Sequence, residues 1–400
     1  MASPNMGSAK IPFHLFLLVF LATACLRVTL TSLGIFIEEI SLDLSLSKTM
    51  TSLLVTIPTL CMGVCALLAT PLSNRFGLET TITLSLLAIA IGTFFRTFLT
   101  ELPALIFFSF IMGTGIAIVG PLASGFVKKH FGKSISKGML AYSLGIATSG
   151  ILGTFITAIV SQYFKIHWTQ ALFFWAFPIF IITFIWMFYL RSFNKAPQVK
   201  KATSPKAKLP WSNKKAWLSI LIFGLQSGGF YSIVAWILPY LSSRNISVTE
   251  GQVLLNFMMV TGLVGSFLYP MFLSRYRQEL AIYFTGFALI SAYLMMIFLV
   301  DYSFFLYLAV GLIGFCATGA FLLTLVLPFA EVDTGEEVAG WTAMMLFGGY
   351  VISSIMPTLL GYIYDVTGSY QNIMVGLLIL SVLLLLSFIV FPMIKSTAQE

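Results

Sequence analysis

Residues 11–37 read IPFHLFLLVFLATACLRVTLTSLGIFI, a stretch in which only Arg27 carries a full charge. A membrane-spanning helix needs about 20 consecutive, mainly apolar residues. The stretch is also longer than the apolar region of a secretory signal peptide. Because lipid offers the backbone no hydrogen-bond partner, such a segment must be an α-helix. We therefore predict a first transmembrane helix that is retained and holds one charge inside the membrane.

Eleven further segments of the 400-residue chain have the same apolar character. The predicted spans are 11–37, 49–72, 80–99, 102–126, 138–160, 168–190, 215–241, 252–273, 280–300, 303–328, 338–361 and 371–393. Only 9% of all residues are charged, whereas soluble domains carry about 25%, so lipid must solvate most of the surface. The predicted fold class is an all-α membrane protein with twelve transmembrane helices.

Lysine and arginine are distributed unevenly between the loops. With a cytoplasmic N-terminus, 17 of the 22 Lys and Arg residues lie on the inner side, and only Lys48, Lys165 and Arg244 lie on the outer side. Such an excess is typical of cytoplasmic loops. We predict a multi-pass protein of the plasma or bacterial inner membrane with both termini in the cytoplasm. The net charge of +8 then faces the anionic inner leaflet, and nucleic acid is not an expected partner.

The longest polar segment, 191–214, is rich in Lys, Pro and Ser and has the composition of a flexible basic linker. It separates an N-terminal six-helix half, 1–190, from a C-terminal half, 215–400. Six spans, a loop and six spans is the plan of a repeat-built secondary transporter. The expected partners are the lipid bilayer and a small-molecule substrate, and the protein is expected to be a monomer.

Arg27 is the most informative residue inside a predicted span. An arginine at this depth costs about 2.5–3.5 kcal/mol on insertion scales, and all fourteen acidic residues lie in loops or at span ends. Thr23, Thr31 and Gly34 share its helical face. The absence of a membrane acid suggests that an anionic substrate supplies the counter-charge. A purely structural role, with helix carbonyls or Glu38 as partners, is the alternative.

Other polar residues within spans are weaker candidates for substrate contacts. Gln226 and Tyr231 belong to span seven, Tyr142 to span five and Asn256 to span eight. The Gln226 amide can donate to an anion, although packing or interhelical bonding explains each residue equally well. Arg96, near the outer end of span three, is a candidate substrate contact, an attractor for anions at the outer mouth, or a side chain that snorkels to the interface.

Motifs of enzymes and cofactor sites are absent from the sequence. There is no metalloprotease helix motif, Walker loop or dinucleotide fingerprint. Cys61 and Cys65 share a helical face, but no His or acid lies nearby to complete a metal site, so they are interpreted as packing residues. We expect no catalytic activity, no cofactor and no metal.

The turn between spans two and three has the sequence Ser73-Asn74-Arg75-Phe76-Gly77. It resembles the cytoplasmic signature of the major facilitator superfamily, which usually has Asp where this chain has Asn74 and basic residues where it has Leu78 and Glu79. The resemblance implies a twelve-helix transporter in which Asn74, Arg75 and Gly77 take part in gating.

Within that superfamily the chain resembles the branch of cyanate permeases and 2-nitroimidazole transporters. The matching pieces are Leu26-Arg27 with Thr31-Ser32, Leu60-Cys61-Met62-Gly63, Arg75-Phe76-Gly77-Leu78-Glu79-Thr80, Gly92 with Arg96, Gln226 with Phe230-Tyr231, Ala235-Trp236 with Pro239, and Gly262 with Gly265-Ser266. The resemblance implies small anionic or polar solutes, and members with similar sequences need not share a solute.

Three functional hypotheses follow. The favoured one is a secondary active or facilitative transporter that moves a small organic or inorganic anion by alternating access, with Arg27 as the anchor. The second keeps the fold and exports drug-like or siderophore-like compounds. The third is a non-transporting membrane sensor. The lack of a sizeable soluble domain that could pass on a signal counts against it.

Overall fold

A computed structural model of the chain describes residues 13–193, 209–275, 277–332 and 334–394. Among these residues, twelve helices are long and apolar enough to cross a membrane. Numbered in chain order, they are α1 Phe13–Gly34, α2 Lys48–Phe76, α3 Leu78–Phe98, α4 Leu102–His130, α5 Ile135–Phe164, α6 Trp168–Tyr189, α7 Lys214–Ser243, α8 Val248–Leu273, α9 Gln278–Phe298, α10 Ser303–Glu331, α11 Glu337–Thr367 and α12 Tyr370–Met393. The predicted all-α fold with twelve transmembrane helices is confirmed.

Two faces of the molecule follow from the twelve crossings. The start of α1 and the end of α12 lie on one face, here called the terminal face, and the opposite face is called the distal face. A short helix, Ile37–Asp43, lies on the distal face between α1 and α2. Within α2 the regular helix is interrupted by a 3₁₀ segment, Cys65–Leu68.

The helices pack mainly within two sets, α1–α6 and α7–α12. Between the sets, α2 packs against α11, α1 against α7 and α5 against α8. The division into halves 1–190 and 215–400 stays a prediction. Of the proposed linker 191–214, residues 194–208 lie outside the described residues.

Small residues allow α1 and α5 to pack at close range. A Cβ atom added to Gly145 would lie 2.0 Å from Thr23 Oγ1, and one added to Gly153 would lie 2.1 Å from Thr31 Oγ1. Both threonine hydroxyls donate to carbonyl oxygens of their own helix. Much of the polar stripe predicted on α1 is therefore a helix-packing surface, with Arg27 between its two threonines.

Gly77 makes the sharp connection between α2 and α3. Its φ of +90° and ψ of 152° belong to a region that residues with a Cβ atom rarely adopt. The glycine of the predicted signature turn is thus required by backbone geometry.

Candidate functional site

Arg27 lies on α1 where this helix approaches α7. Its side chain is half-buried, and the guanidinium carbon lies 5.4 Å from the ring centroid of Phe230 on α7, within the range of a cation–π contact. Among the described residues, no carboxylate lies within 4.0 Å of Arg27. Glu38, the partner considered from the sequence, instead binds Lys48 at 2.8 Å.

Three tyrosines, from α5, α7 and α11, lie within electrostatic range of this charge. Tyr142 of α5, Tyr231 of α7 and Tyr350 of α11 are each close enough to Arg27 to interact with it electrostatically. The Tyr231 hydroxyl also lies 3.6 Å from the sulfur of Met62 on α2. Helices from both sets therefore bring aromatic residues near one cation, and Phe230 is in direct contact with it.

Two members of this group, Phe230 and Tyr350, were not among the candidate contacts inferred from the sequence. Phe230 directly precedes Tyr231, and Tyr350 follows the Gly348-Gly349 pair in the middle of α11. Tyrosines in the middle of spans were a usable signal, but nothing in the sequence distinguishes Tyr350 from a packing residue.

The side-chain amide of Gln226 on α7 forms hydrogen bonds to residues of its own helix set, α7–α12. Its Nε2 donates to the Ala317 carbonyl on α10 at 3.1 Å, and its Oε1 accepts from the Ser227 hydroxyl at 2.9 Å. Together with Tyr293 and Ser381, it lines a small cavity that Phe230 also borders. Gln226 thus contacts α10 and shares a cavity with Phe230, and its role as a substrate contact stays a prediction.

Arg96 is deeply buried, with 2% of its surface exposed, so the expectation that its side chain snorkels to the interface is wrong. Its roles as a substrate contact or as an attractor for anions stay predictions. Its Nη2 donates to the Thr29 carbonyl of α1 at 3.0 Å, while Nε and Nη1 have no partner among the described residues. The physical reason is its rotational position on α3, which directs it at α1. The carbonyl ends of α1 and α3 both lie nearby and favour a cation there.

Asn256 lies in the contact between α8 and α5. On the same face of α8, Gln252 hydrogen-bonds Gln162 of α5, and Met259 approaches Gly150. The Oδ1 atom of Asn256 is buried without a partner among the described residues. No described contact joins Asn256 to Arg27.

The predicted gating residues Asn74 and Arg75 are exposed at the terminal end of α2. The Arg75 guanidinium lies 5.2 Å from the ring centroid of Phe76. Glu79, which replaces a basic residue of the family signature, is buried and binds Lys129 and His130 at the end of α4. This ion cluster joins α3 to α4.

Polar contacts between the two helix sets concentrate on the distal side. The Thr358 hydroxyl of α11 contacts those of Ser52 and Thr56 on α2. Nearer the distal surface, Asp365 accepts from the first residues of α2. Close packing of α2 on α11 continues inward to Gly63, where an added Cβ would lie 2.8 Å from the Phe347 carbonyl. The distal side is closed by these contacts, none of which was anticipated from the sequence.

The fold is that of a membrane protein with twelve transmembrane helices, and a comparison with protein families identifies it as a transporter. The family model of the Major Facilitator Superfamily matches residues 19–353. The chain belongs to this superfamily, a family of transporters rather than of enzymes, and is a multi-pass membrane protein.

Three individual relatives are between 24% and 28% identical to this chain. The chain is 28% identical over 349 residues to the "Uncharacterized transporter YycB" of Bacillus subtilis (strain 168), covering 86% of this chain and 85% of that protein. It is 26% identical to the 2-nitroimidazole transporter of Escherichia coli (strain K12), covering 92% of each chain. It is 24% identical to the cyanate transport protein CynX of the same organism, covering 86% of this chain and 88% of that protein.

Solved structures share the fold at low sequence identity. The nucleoside transporter NupG superposes with a TM-score of 0.76 at 14% identity, covering 96% of this chain and 99% of that one. A bacterial homologue of the lysosomal transporter Spinster, in an inward-facing and occupied conformation, also gives 0.76 at 14% identity, covering 97% and 98%. These likenesses concern the fold alone.

Proposed function

We propose that the protein is a secondary active or facilitative transporter that moves a small organic or inorganic anion by alternating access. One observation carries the proposal: Arg27 lies where helices of both sets meet, and no described carboxylate is within 4.0 Å of it. An unpaired charge in such surroundings is costly. An anionic substrate that binds there removes that cost.

The surroundings of Arg27 suit a small anion that accepts several hydrogen bonds. The hydroxyls of Tyr142, Tyr231 and Tyr350 can each donate, and hydrogen bonds to a charged group are worth about 1.5–3 kcal/mol. Because these tyrosines come from α5, α7 and α11, a bound anion would join the two helix sets. That is the property that alternating access requires of a substrate.

The relatives support the same substrate class. Transporters named for cyanate and for 2-nitroimidazole are 24% and 26% identical to this chain. Both names denote small solutes that a compact site can enclose. We therefore propose a small solute of this kind, anionic when bound.

Location and organisation form part of the proposal. The distribution of Lys and Arg favours the plasma or bacterial inner membrane, with both termini and the terminal face in the cytoplasm. In that orientation the distal closure faces the exterior. A monomer of two six-helix halves is the expected transport unit.

Uptake into liposomes tests the function. The purified protein is reconstituted, and accumulation of radiolabelled cyanate and a panel of other small labelled anions is followed. Arg27→Gln should lower uptake of the transported anion at least about tenfold, because a charge-assisted hydrogen bond is lost. Arg27→Lys should retain part of this uptake, since the positive charge remains but the planar guanidinium, with its paired N–H donors, is lost.

Arg277→Gln is the matched control, because Arg277 is exposed and its only described ion-pair partner is Glu279. It should transport normally. Normal uptake by Arg27→Gln would contradict the anion anchor. If the intact protein moved neutral or cationic drug-like compounds out and no anion in, the exporter hypothesis would replace this one.

A further inference from the structure

The Arg27 site holds a single charge in the part of the chain that the structure describes. Tyr142, Tyr231 and Tyr350 each interact electrostatically with Arg27 and with no other charged residue among those described. Tyr350 also interacts with Tyr142 and Tyr231, so the three tyrosines lie near one another as well as near the cation. An anion that binds there therefore meets one positive charge and side chains that are otherwise neutral.

No helix N-terminus adds to this charge. Arg27, Tyr142, Tyr231 and Tyr350 all lie beyond the first turn of their helices, and the positive field of a helix N-terminus falls off within that turn. Met62 of α2, whose sulfur lies 3.6 Å from the Tyr231 hydroxyl, is neutral as well. The described residues thus offer a bound anion the positive charge of Arg27 together with neutral groups.

Two hydroxyl donors are free for a ligand. Those of Tyr142 and Tyr350 form no hydrogen bond with another described residue, whereas that of Tyr231 contacts the Met62 sulfur. A hydroxyl stabilises an anion by donating a hydrogen bond, but it carries no charge that could cancel that of the anion. The site can therefore neutralise one negative charge and solvate the remaining acceptor atoms of the ligand.

The charge of the ligand decides whether such a site can hold it. The cost of removing an ion from water rises with the square of its charge, so a dianion costs about four times as much as a monoanion of equal size. Its attraction to a single cation rises only in proportion to the charge, by about twofold. The desolvation cost therefore outgrows the attraction when the charge of the ligand is doubled.

Closure of the carrier makes the difference larger. Alternating access requires that a bound substrate is sealed from water on both sides, and contacts between α2 and α11 already close the distal side. Arg27 and a monoanion then form a neutral pair. Arg27 and a dianion leave one negative charge buried without a partner, which is strongly unfavourable in surroundings of low dielectric constant.

We propose that the Arg27 site selects its substrate by valence, so that it binds monovalent anions and rejects divalent anions of the same shape. This inference rests on the proposed function, because it narrows the substrate class of the same site. It follows from the meeting of one guanidinium with neutral aromatic residues of α5, α7 and α11. Sulfate and oxalate are accordingly excluded as substrates.

Direct binding of two pairs of radiolabelled anions tests the proposal. Perchlorate and sulfate are both tetrahedral and carry one and two negative charges, and formate and oxalate repeat the comparison with carboxylates. Binding to the purified protein is measured by scintillation proximity at neutral pH and at one ionic strength. Each monoanion should bind at least about tenfold more tightly than its divalent partner. Arg27→Gln should abolish this binding.

A second cation at the site should change the preference. Met62→Lys places an ammonium group on a side chain of similar length near Tyr231. It should raise the affinity for sulfate relative to perchlorate at least about tenfold. Met62→Gln is the matched neutral control and should keep the native preference, whatever its effect on affinity. An unchanged preference in a folded Met62→Lys would count against the proposal.

The outcomes separate this proposal from the proposed function. Divalent anions that bind as tightly as their monovalent partners, and that are lost in Arg27→Gln, would overturn selection by valence and leave the anion site in place. Binding of none of the four anions, or binding that Arg27→Gln does not change, would contradict the anion site and the proposed function with it. If Met62→Lys failed to fold, the affinity ratios of the native protein would still decide.

Discussion

The guanidinium of Arg27 and the ring of Phe230 face each other across the contact between α1 and α7, 5.4 Å apart. One residue belongs to the first helix set and the other to the second. The positive charge of the site is thereby held against an aromatic face rather than an acid. An aromatic ring stabilises a cation without neutralising it, so the charge stays available for an anion.

Phe230→Leu should weaken substrate binding while leaving the protein folded. The cation–π contact is worth about 0.5–2 kcal/mol, so the KM of anion uptake should rise by about 2-fold to 30-fold. Phe287→Leu, at an exposed position of α9, is the control and should leave KM unchanged. An unaltered KM in Phe230→Leu would show that the ring does not position Arg27.

Tyr350→Phe should impair the same step through the loss of one hydroxyl. If this hydroxyl donates to the bound anion, affinity should fall at least about tenfold. The loss should shrink markedly when Arg27→Gln is already present, because the two groups act on one ligand. Isothermal titration of the purified variants measures both effects, and full additivity would place Tyr350 outside the site.

Arg96→Met should leave transport intact and should not lower the melting temperature. A buried charge with few partners is often replaced by an apolar side chain of similar size with a neutral effect or a gain of about 1–4 kcal/mol. The pair to compare is Arg27→Gln, which should lose transport. Loss of anion binding in Arg96→Met, with a normal melting temperature, would instead return Arg96 to the substrate site.

Gly145→Ala should destabilise the contact between α1 and α5. The added methyl group would overlap Thr23 Oγ1, and overpacking of this kind costs about 1–3 kcal/mol. Gly120→Ala on α4 is the control, since an added Cβ there meets nothing within 4 Å. Thermal unfolding in detergent should show a lower midpoint for the first variant only. Equal midpoints would mean that the helices separate at little cost.

The fold was predictable because it depends on properties of single segments. Whether a segment such as 11–37 prefers lipid depends on its own composition, and the backbone then has to form a helix. The turn at Gly77 was identifiable for a similar reason, since its short signature lies within one loop. Arg27 could likewise be selected as a candidate from the sequence, because a charge inside an apolar segment is costly wherever its partners lie.

The assignment of side chains to partners required the tertiary structure. Arg96 and Arg27 are both arginines within spans, yet one faces the carbonyl end of α1 and the other faces Phe230. Asp365 could be interpreted only as a loop-end acid until α11 was placed beside the start of α2. In lipid, apolar composition hardly constrains the rotation of a helix about its axis, and packing against neighbouring helices sets that rotation. The sequence by itself therefore determined twelve spans and one costly charge, and only the packing of distant helices decided what surrounds that charge and what closes the distal face.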